Sequence, residues 1–352
     1  MKFSFSAYLF VIFFLPWVNR NVVSAQKNHV FYSVEAALKS PNEVYILDIS
    51  DQGITALPNQ IGLLKNLREL LAGGNQLQSL PEDICKLTRL EILYLPNNKI
   101  FRLPEQIGNL KRLKEINLLN NEIDRLPLSF NKLDSIETLE LFGNNLISLP
   151  KEICSCSNLR ELGLYFNSLS DVPACIGELK SLQKLSLNGN RIYRLPSGIC
   201  DLHNLKELYL ARNEIQSLPE CFGNLINLEK LELDHNKLTT LPNEIGNLQK
   251  LEILQVEHNF IASLPESVNK MIHLKRAFLQ YNALSTLSPE LFSLPALEEL
   301  ILIDNGIKNF PQAIRPGKQL QHISLGFNPI TEAERARIRK LLPGVQVDFK
   351  SK

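Results

Sequence analysis

The chain has 352 residues, of which 38 are Lys or Arg and 37 are Asp or Glu, so its formal net charge at pH 7 is +1. A balance this close to neutral argues against the strongly basic surface with which proteins bind nucleic acid or anionic membranes. Because 44% of the residues are hydrophobic and only 21% are charged, the chain can bury a large core and is not intrinsically disordered.

Residues 1–25 have the pattern of a secretory signal peptide. A single Lys precedes an apolar run over residues 3–18, and residues 23–25 place small side chains where a signal peptidase cuts. Pro16 interrupts the run before it reaches the roughly 20 residues of a membrane-spanning helix. The sequence therefore predicts a secreted or otherwise extracytoplasmic protein, cleaved after Ala25, with no membrane span in the mature chain.

Residues 26–43 are predicted to form an N-terminal cap. Ser33 is a candidate helix N-cap, apolar side chains follow from Val34 to Leu38, and Pro41 ends the pattern. A short helix here would cover the first coil of a repeat structure, which would otherwise expose its core.

Residues 44–330 contain one 23-residue pattern that recurs thirteen times without insertion or deletion, L-x-x-L-x-L-x-x-N-x-L/I-x-x-L-P-x-x-I-x-x-L-x-x. The first unit begins at Val44 and the thirteenth at Leu320; positions within a unit are numbered from these residues. Apolar residues alternate at positions 1, 4 and 6, which predicts a short strand with one buried face. Leu-Pro at positions 14 and 15 ends the strand, and apolar positions 18 and 21 close the core from the other side.

Position 9 is Asn in twelve units, and only Gln52 in the first unit departs. A turn that carries the chain inward leaves backbone N–H and C=O groups buried, and a carboxamide can both donate to and accept from such groups. The sequence therefore predicts a structural asparagine ladder between neighbouring coils. Its members are Asn75, Asn98, Asn121, Asn144, Asn167, Asn190, Asn213, Asn236, Asn259, Asn282, Asn305 and Asn328.

Residues 331–352 are predicted to form the C-terminal cap. Thr331 and Glu334 have the spacing of a capping box, and an amphipathic helix follows until residues 343–344, Pro-Gly. Alternating apolar residues over 345–349 then predict a last strand.

The repeat resembles that of leucine-rich-repeat proteins of the 23-residue LPxxIxxLxxL type. Together with the closing segment NPITEAERARIRKLLPG, it is similar to secreted bacterial leucine-rich-repeat proteins, and it also resembles the Ras-group leucine-rich-repeat scaffolds of eukaryotes. The resemblance implies an α/β repeat fold: a solenoid with a parallel β-sheet on its concave face, irregular turns on its convex face and helical caps at both ends. It implies a binding role, with the ligand on the concave face.

In such a solenoid, positions 3, 5, 7 and 8 face outward on the concave sheet, and successive units lie about 4.8 Å apart. Aromatic residues gather at these positions in units three to eight, and acids with histidines in units nine and ten. Exposed aromatic side chains are typical of binding hot spots, so we predict a face that binds a protein or a glycan. Its residues are Tyr94, Glu140, Phe142, Tyr165, Phe166, Tyr209, Glu232, Asp234, His235, Glu257, His258, Phe278 and Tyr281.

His235 and His258 share position 8 in adjacent units, beside Asp234 and Glu257. Two imidazoles and two carboxylates are ligand types for a divalent metal, but nothing in the sequence orients them. We interpret them as a solvated polar surface or a pH-dependent contact, and predict neither a metal site nor a cofactor.

Four cysteines share a spacing. Cys154 and Cys200 stand at position 19, and Cys175 and Cys221 at position 17 of the following unit, so each pair is 21 residues apart. In an exported chain this makes the disulfides Cys154–Cys175 and Cys200–Cys221 plausible. The alternative is that these cysteines fill small buried sites as modest hydrophobes.

The sequence contains no phosphate-binding glycine loop and no GxSxG, HExxH or CxxC motif. Basic residues alternate with acids, so nucleic-acid binding is not predicted. We therefore predict a non-enzymatic binding protein for a protein or glycan partner. Two alternatives remain: an intracellular scaffold in small-GTPase signalling, and a hydrolytic or modifying enzyme.

Overall fold

A computed structural model describes residues 29–350, which form one sheet of fifteen parallel strands paired in chain order. The signal peptide predicted for residues 1–25 lies outside the described residues. The strands are β1 Val30–Phe31, β2 Ile46–Asp48, β3 Glu69–Leu71, β4 Ile92–Tyr94, β5 Glu115–Asn117, β6 Thr138–Glu140, β7 Glu161–Gly163, β8 Lys184–Ser186, β9 Glu207–Tyr209, β10 Lys230–Glu232, β11 Ile253–Gln255, β12 Arg276–Phe278, β13 Glu299–Ile301, β14 His322–Ser324 and β15 Gln346–Asp348.

The repeat strands β2 to β14 pair in an unshifted register. Leu93 in β4 pairs with Leu70 in β3 and with Ile116 in β5, each at position 4 of its unit. All three side chains are fully buried, because position 4 points into the core while positions 3 and 5 point to the other face. The predicted leucine-rich-repeat solenoid with a parallel sheet is confirmed.

The convex side is more regular than the predicted irregular turns, because most units form a short 3₁₀ helix there. In the second unit, the extended residue Pro81 accepts a hydrogen bond from the N–H of Ile84, and the Ile84 carbonyl accepts one from Leu87. Proline thus begins the helix, and two buried side chains close the core. The 3₁₀ helices among the described residues are Asn59–Leu63, Glu82–Lys86, Ile107–Asn109, Leu128–Lys132, Lys151–Ser155, Ala174–Glu178, Ser197–Asp201, Glu220–Asn224, Asn243–Asn247, Glu266–Lys270 and Pro289–Ser293.

The asparagines at position 9 join each coil to the preceding one. Oδ1 of Asn121 accepts from the N–H of Ile100 at 3.0 Å. Its Nδ2 donates to the carbonyl of Leu95 in the preceding unit at 2.9 Å and to that of Leu118 in its own unit at 3.0 Å. All twelve asparagines make the same three contacts, so the ladder runs through the whole repeat region.

A strand and a helix cover the first coil. Helix α1, Val34–Lys39, is capped by the side chain of Ser33, as its sequence predicts. Strand β1, Val30–Phe31, was not predicted, because two residues cannot display an alternating pattern. Gln52, which replaces the ladder asparagine in the first unit, donates from Nε2 to the carbonyl of Tyr32 at 2.8 Å and so ties the cap to the first coil.

Helix α2, Glu332–Leu341, and strand β15 cover the last coil. Oγ1 of Thr331 accepts from the N–H of Glu334 at 3.3 Å, which is the predicted capping contact. The Glu334 carboxylate, however, accepts from the N–H of Phe310 in the preceding coil at 2.8 Å, and so attaches the helix to the solenoid. Among the helices of residues 29–350, none has the length and apolar character needed to cross a membrane.

Two disulfide bonds on the convex side join neighbouring units through the shared positions 19 and 17, Cys154–Cys175 and Cys200–Cys221. Their Cα atoms are 5.9 and 5.7 Å apart, within the usual range for a disulfide. Cys85 also stands at position 19, but position 17 of the next unit is Gln106, and Cys85 is a buried free thiol. A cysteine at position 19 is therefore paired where position 17 of the next unit is also a cysteine.

Replacement of a ladder asparagine should destabilise the fold strongly. We expect Asn121→Ala to lower the free energy of unfolding by about 3 kcal/mol, because buried backbone groups of the preceding coil lose their partners. Urea denaturation followed by circular dichroism measures this change. The control Asn131→Ala, in an exposed turn of the 3₁₀ helix Leu128–Lys132, should change it by less than about 0.5 kcal/mol. Equal losses in the two variants would contradict the structural role of the ladder.

Candidate ligand-binding face

Side chains at positions 3, 5, 7 and 8 of the units lie on the side of the sheet that faces away from the core, which we call the inner face. Because the strands pair without a register shift, equal positions of successive units form columns across this face. The predicted binding residues all lie in these columns, on or directly after strands β4 to β12.

Three predicted aromatic residues form one patch, which we call the aromatic cluster. Phe142 lies 4.4 Å from Tyr165 and 5.5 Å from Phe166, measured between ring centroids, and the latter two lie 6.2 Å apart. These are distances of packed aromatic pairs. Phe166 is nevertheless 43% exposed, so the cluster presents ring surface to solvent. Tyr94 lies two units before the cluster and Tyr209 two units after it.

The carboxylate of Glu140 lies over the backbone of Gly163, which holds the same position in the next unit. A Cβ atom at Gly163 would lie 1.9 Å from Oε2 of Glu140, so this carboxylate fills space that only glycine leaves open. The pKa of Glu140 is raised to about 7, mainly by burial and also by the charges of Glu161 and Glu115, while the charge of Lys184 acts in the opposite direction. Within residues 29–350 the Glu140 carboxylate forms no hydrogen bond and no ion pair.

Tyr209 is surrounded by the chain's own charges. Nζ of Lys230 lies 4.8 Å from the Tyr209 ring centroid and 2.8 Å from Oε1 of Glu232, so the ammonium sits between a ring and a carboxylate. Nζ of Lys184 lies 5.8 Å from the same centroid. The tyrosine hydroxyl donates to Glu207 at 2.6 Å, and burial, aided by this hydrogen bond, raises the pKa of Tyr209.

His235, His258 and Tyr281 stack in consecutive units at position 8, and we call them the ring column. The centroid distances are 4.1 Å between the imidazoles and 4.2 Å between His258 and the tyrosine. Burial and the neighbouring His235 lower the pKa of His258. The stacked imidazoles face each other instead of converging on one point. No group of three or more His, Cys, Asp or Glu side chains in residues 29–350 is placed to hold a metal ion.

Two buried side-chain oxygens next to the ring column have no hydrogen-bond partner, Oε2 of Glu257 and Oε1 of Gln280. They occupy position 7 of adjacent units. Burial raises the pKa of Glu257 to about 7, and the charges of Asp234 and Glu232 act in the same direction. Above pH 7, where the Glu257 carboxyl is mostly ionised, this oxygen and the amide oxygen of Gln280 can only accept hydrogen bonds, so both lack a donor.

Position 8 adopts a left-handed backbone in all thirteen units, with φ between +52° and +66°. Seven units hold Gly, Asn or Asp there, which adopt this conformation readily. For larger residues it costs roughly 1 kcal/mol each. The six large side chains held in this way are Phe166, Arg212, His235, His258, Tyr281 and Phe327. The recurrence of Gly, Asn and Asp at position 8 is a sequence signal of a left-handed turn. This turn was not predicted.

The inner face is acidic although the whole chain carries a net charge of only +1. Positions 3, 5, 7 and 8 of the thirteen units hold twelve Asp or Glu and four Lys or Arg, which gives −8 with His neutral. Five of these charges stand at position 3 in units four to nine, and none of them was among the predicted binding residues. Strand alternation places position 3 on the same face as position 5 and would have found them. They are Glu115, Glu161, Lys184, Glu207 and Lys230.

Two cavities lie away from the inner face. One, of about 410 Å³, opens on the convex side and includes Cys85 and Gln106 in its lining; the other, of about 260 Å³, lies where units five and six begin and includes Glu137 and Arg160. The inner face itself is an extended row of half-buried polar and aromatic side chains, a shape that suits a macromolecular ligand better than a small molecule.

Comparison with known proteins finds leucine-rich-repeat proteins. A family model described as a leucine-rich repeat region matches residues 43–121 and 150–239. A leucine-rich-repeat protein of Leptospira interrogans is 32% identical in sequence; the match covers 91% of this chain and 99% of that chain, with a TM-score of 0.66. A comparison with curated protein sequences gives no significant match.

Two further solved structures share the fold. The plant peptide hormone receptor RGFR1, in complex with RGF2, is 27% identical over 82% of this chain, with a TM-score of 0.72, and the match spans only 52% of that receptor chain. The functional domain of InlJ from Listeria monocytogenes, which includes a cysteine ladder, is 20% identical; the match covers 89% of this chain and 64% of that chain, with a TM-score of 0.73. The likeness to the Listeria protein concerns the fold alone.

The burial of Glu140 predicts a pH-dependent stability. Its pKa rises from 4.5 to about 7 on folding, so the stability present below pH 4.5 is lost as pH rises through 7. We therefore expect Glu140→Gln to raise the free energy of unfolding by roughly 3 kcal/mol at pH 8 and by less than about 1 kcal/mol at pH 5. Urea denaturation at the two pH values tests this, with the exposed Glu122→Gln as control. An equal effect of Glu140→Gln at both pH values would contradict the prediction.

Proposed function

Because the chain belongs to the leucine-rich-repeat family, we propose that it is a non-enzymatic binding protein that recognises a protein partner on its inner face. The observation that carries this proposal is the aromatic cluster, three packed rings that remain partly exposed. Phe166 belongs to the cluster although its left-handed backbone, φ +52°, disfavours a large side chain. Local strain of this kind is typical of functional sites.

The scaffold beneath the cluster supports recognition by a preorganised surface. Each unit is hydrogen-bonded to its neighbours through the sheet and through the asparagine ladder, and two disulfides add covalent links. A surface that is already ordered loses little conformational entropy when it binds. The fold family consists in general of binding modules, and the receptor RGFR1 was solved with its ligand RGF2, which favours a protein as partner.

The arrangement of the carboxylates favours binding over catalysis. A raised pKa often marks a general acid, and Glu140 and Glu257 both have one. These two residues are five units apart, however, or roughly 24 Å at the spacing of parallel strands, so they cannot act on one bond.

We further propose that the protein works outside the cytoplasm. The two disulfides favour an oxidising compartment, and residues 1–25 have the composition of a signal peptide. N-terminal sequencing of the exported protein should find Gln26 first, and titration of the denatured, unreduced protein should find two free thiols among its six cysteines. Retention of Met1 together with six free thiols would favour the intracellular scaffold for small GTPases instead.

A capture experiment tests the binding face. The immobilised protein is incubated with an extract of cell-surface proteins, and retained proteins are identified by mass spectrometry. We expect the triple variant Phe142→Ala, Tyr165→Ala, Phe166→Ala to lose the proteins that the wild type retains, because it removes the exposed ring surface.

The matched control removes three aromatic side chains that lie elsewhere on the surface. Phe101, Tyr193 and Phe260 are 47%, 46% and 62% exposed, and none of them stands at an inner-face position. Their triple alanine variant should retain the same proteins as the wild type. Equal retention by both triple variants would refute the aromatic cluster as the binding site, and loss of capture after enzymatic deglycosylation of the extract would identify a glycan as the ligand.

A further inference from the structure

We propose that the partner is a basic polypeptide segment, one of whose Lys or Arg side chains binds beside Glu140 and the aromatic cluster. This inference rests on the proposed function, since it names the chemistry of the partner for the same inner face. Three features of the face lead to it: a cation site that the chain fills itself, a similar site that it leaves unfilled, and the charge of the whole surface.

The filled site lies at Tyr209. There the ammonium of Lys230 is 4.8 Å from the ring centroid and 2.8 Å from the carboxylate of Glu232. A ring face and a carboxylate attract a cation together, because the π-quadrupole and the negative charge both favour a positive group. On the chain's own inner face, an aromatic ring beside a carboxylate therefore holds a lysine ammonium group.

The unfilled site lies three units earlier, at Glu140. Its carboxylate and the rings of Phe142 and Tyr165 supply the same two elements, a negative charge and aromatic surface. No lysine stands at position 3 of these two units, where the chain holds Thr138 and Glu161. The charge of Lys184, two units further along, lowers the pKa of Glu140, but the two side chains form no ion pair like the one between Lys230 and Glu232. An ammonium or guanidinium group from a partner would supply that contact.

The charge of the surrounding surface selects the same class of partner. With twelve acidic and four basic residues, the inner face carries −8, whereas the whole chain carries +1. Oppositely charged surfaces steer association and suppress partners of like charge. Burial of Glu140 adds to this, because a carboxylate that has already lost its water gains more from a nearby cation than an exposed one.

A second basic side chain of the same segment would reach Glu257 and Gln280 on the inner face. Oε2 of Glu257 and Oε1 of Gln280 are buried acceptors without partners. Glu257 lies five units from Glu140, roughly 24 Å, which an extended polypeptide spans in about seven residues. The geometry therefore favours a segment with two basic residues about seven positions apart, lying across the strands.

The test uses two dye-labelled probes, an acetylated and amidated decalysine peptide and a matched decaglutamate peptide, with fluorescence anisotropy as readout. Binding is measured at pH 8, where Glu140 and Glu257, with pKa values of about 7, are mostly ionised, so the triple variant Glu140→Gln, Glu161→Gln, Glu257→Gln removes close to three charges from the inner face. We expect decalysine to bind the wild type and decaglutamate not to bind. We expect the triple variant to weaken decalysine binding by at least about tenfold.

The matched control is Glu105→Gln, Glu178→Gln, Glu266→Gln, which removes three exposed charges from the convex side and should weaken decalysine binding by less than about twofold. Urea denaturation of both triple variants distinguishes a loss of binding from unfolding. Failure of decalysine to bind the wild type, or equal weakening by both triple variants, would overturn the proposal.

The outcomes separate this inference from the proposed function. If the capture of a protein depends on the aromatic cluster while decalysine does not bind, the inner face is a binding site whose partner is not basic. If the aromatic triple variant captures everything that the wild type captures, the proposed function itself is wrong, whatever decalysine does.

Discussion

The whole molecule depends on one hydrogen-bonding arrangement, in which a carboxamide satisfies the backbone groups that each inward turn would otherwise leave buried. Asn121 accepts from Ile100 and donates to Leu95 and Leu118, so one short carboxamide satisfies three backbone groups at once. The contacts bridge neighbouring coils, so the buried backbone groups of each coil depend on the asparagine of the next coil for their hydrogen bonds. The 23-residue period is maintained throughout, because an inserted residue would move the carboxamide away from its partners.

The fold could be predicted because every coil repeats the same constraints. Leu93, Asn98 and Ile107 each recur at their position, and thirteen copies make the period visible without an alignment. The same register predicted Cys154–Cys175, and it explains the free thiol of Cys85. What escaped prediction does not repeat: strand β1 is two residues long, and the Glu334 carboxylate bonds Phe310 in the preceding coil instead of completing its own capping box.

The positions of the candidate residues in the sheet could be predicted from the sequence, but their contacts and pKa values could not. Strand alternation puts columns 5 and 7 on one face. Column 8, which carries Phe166 and the ring column, lies beside them at a residue with a left-handed backbone, and alternation does not place it. The pairing of Glu140 with Gly163 could not be read in this way. It depends on the lack of a Cβ atom at the neighbouring residue, and the raised pKa depends on how much water the surrounding side chains exclude. Both are properties of packing between units, which a one-dimensional pattern does not contain.

The two disulfides join units that also carry the aromatic cluster and the charged residues around Tyr209 on the inner face. Cys154–Cys175 joins units five and six, whose relative position places Glu140 over Gly163 and Phe142 against Tyr165. The second disulfide joins units seven and eight, which carry Lys184 and Tyr209. Buried charge and strained backbone both favour rearrangement of a surface. A covalent link on the opposite side of the same coils opposes that rearrangement, so the units that place the buried carboxylate of Glu140 over Gly163 are also joined by a disulfide bond.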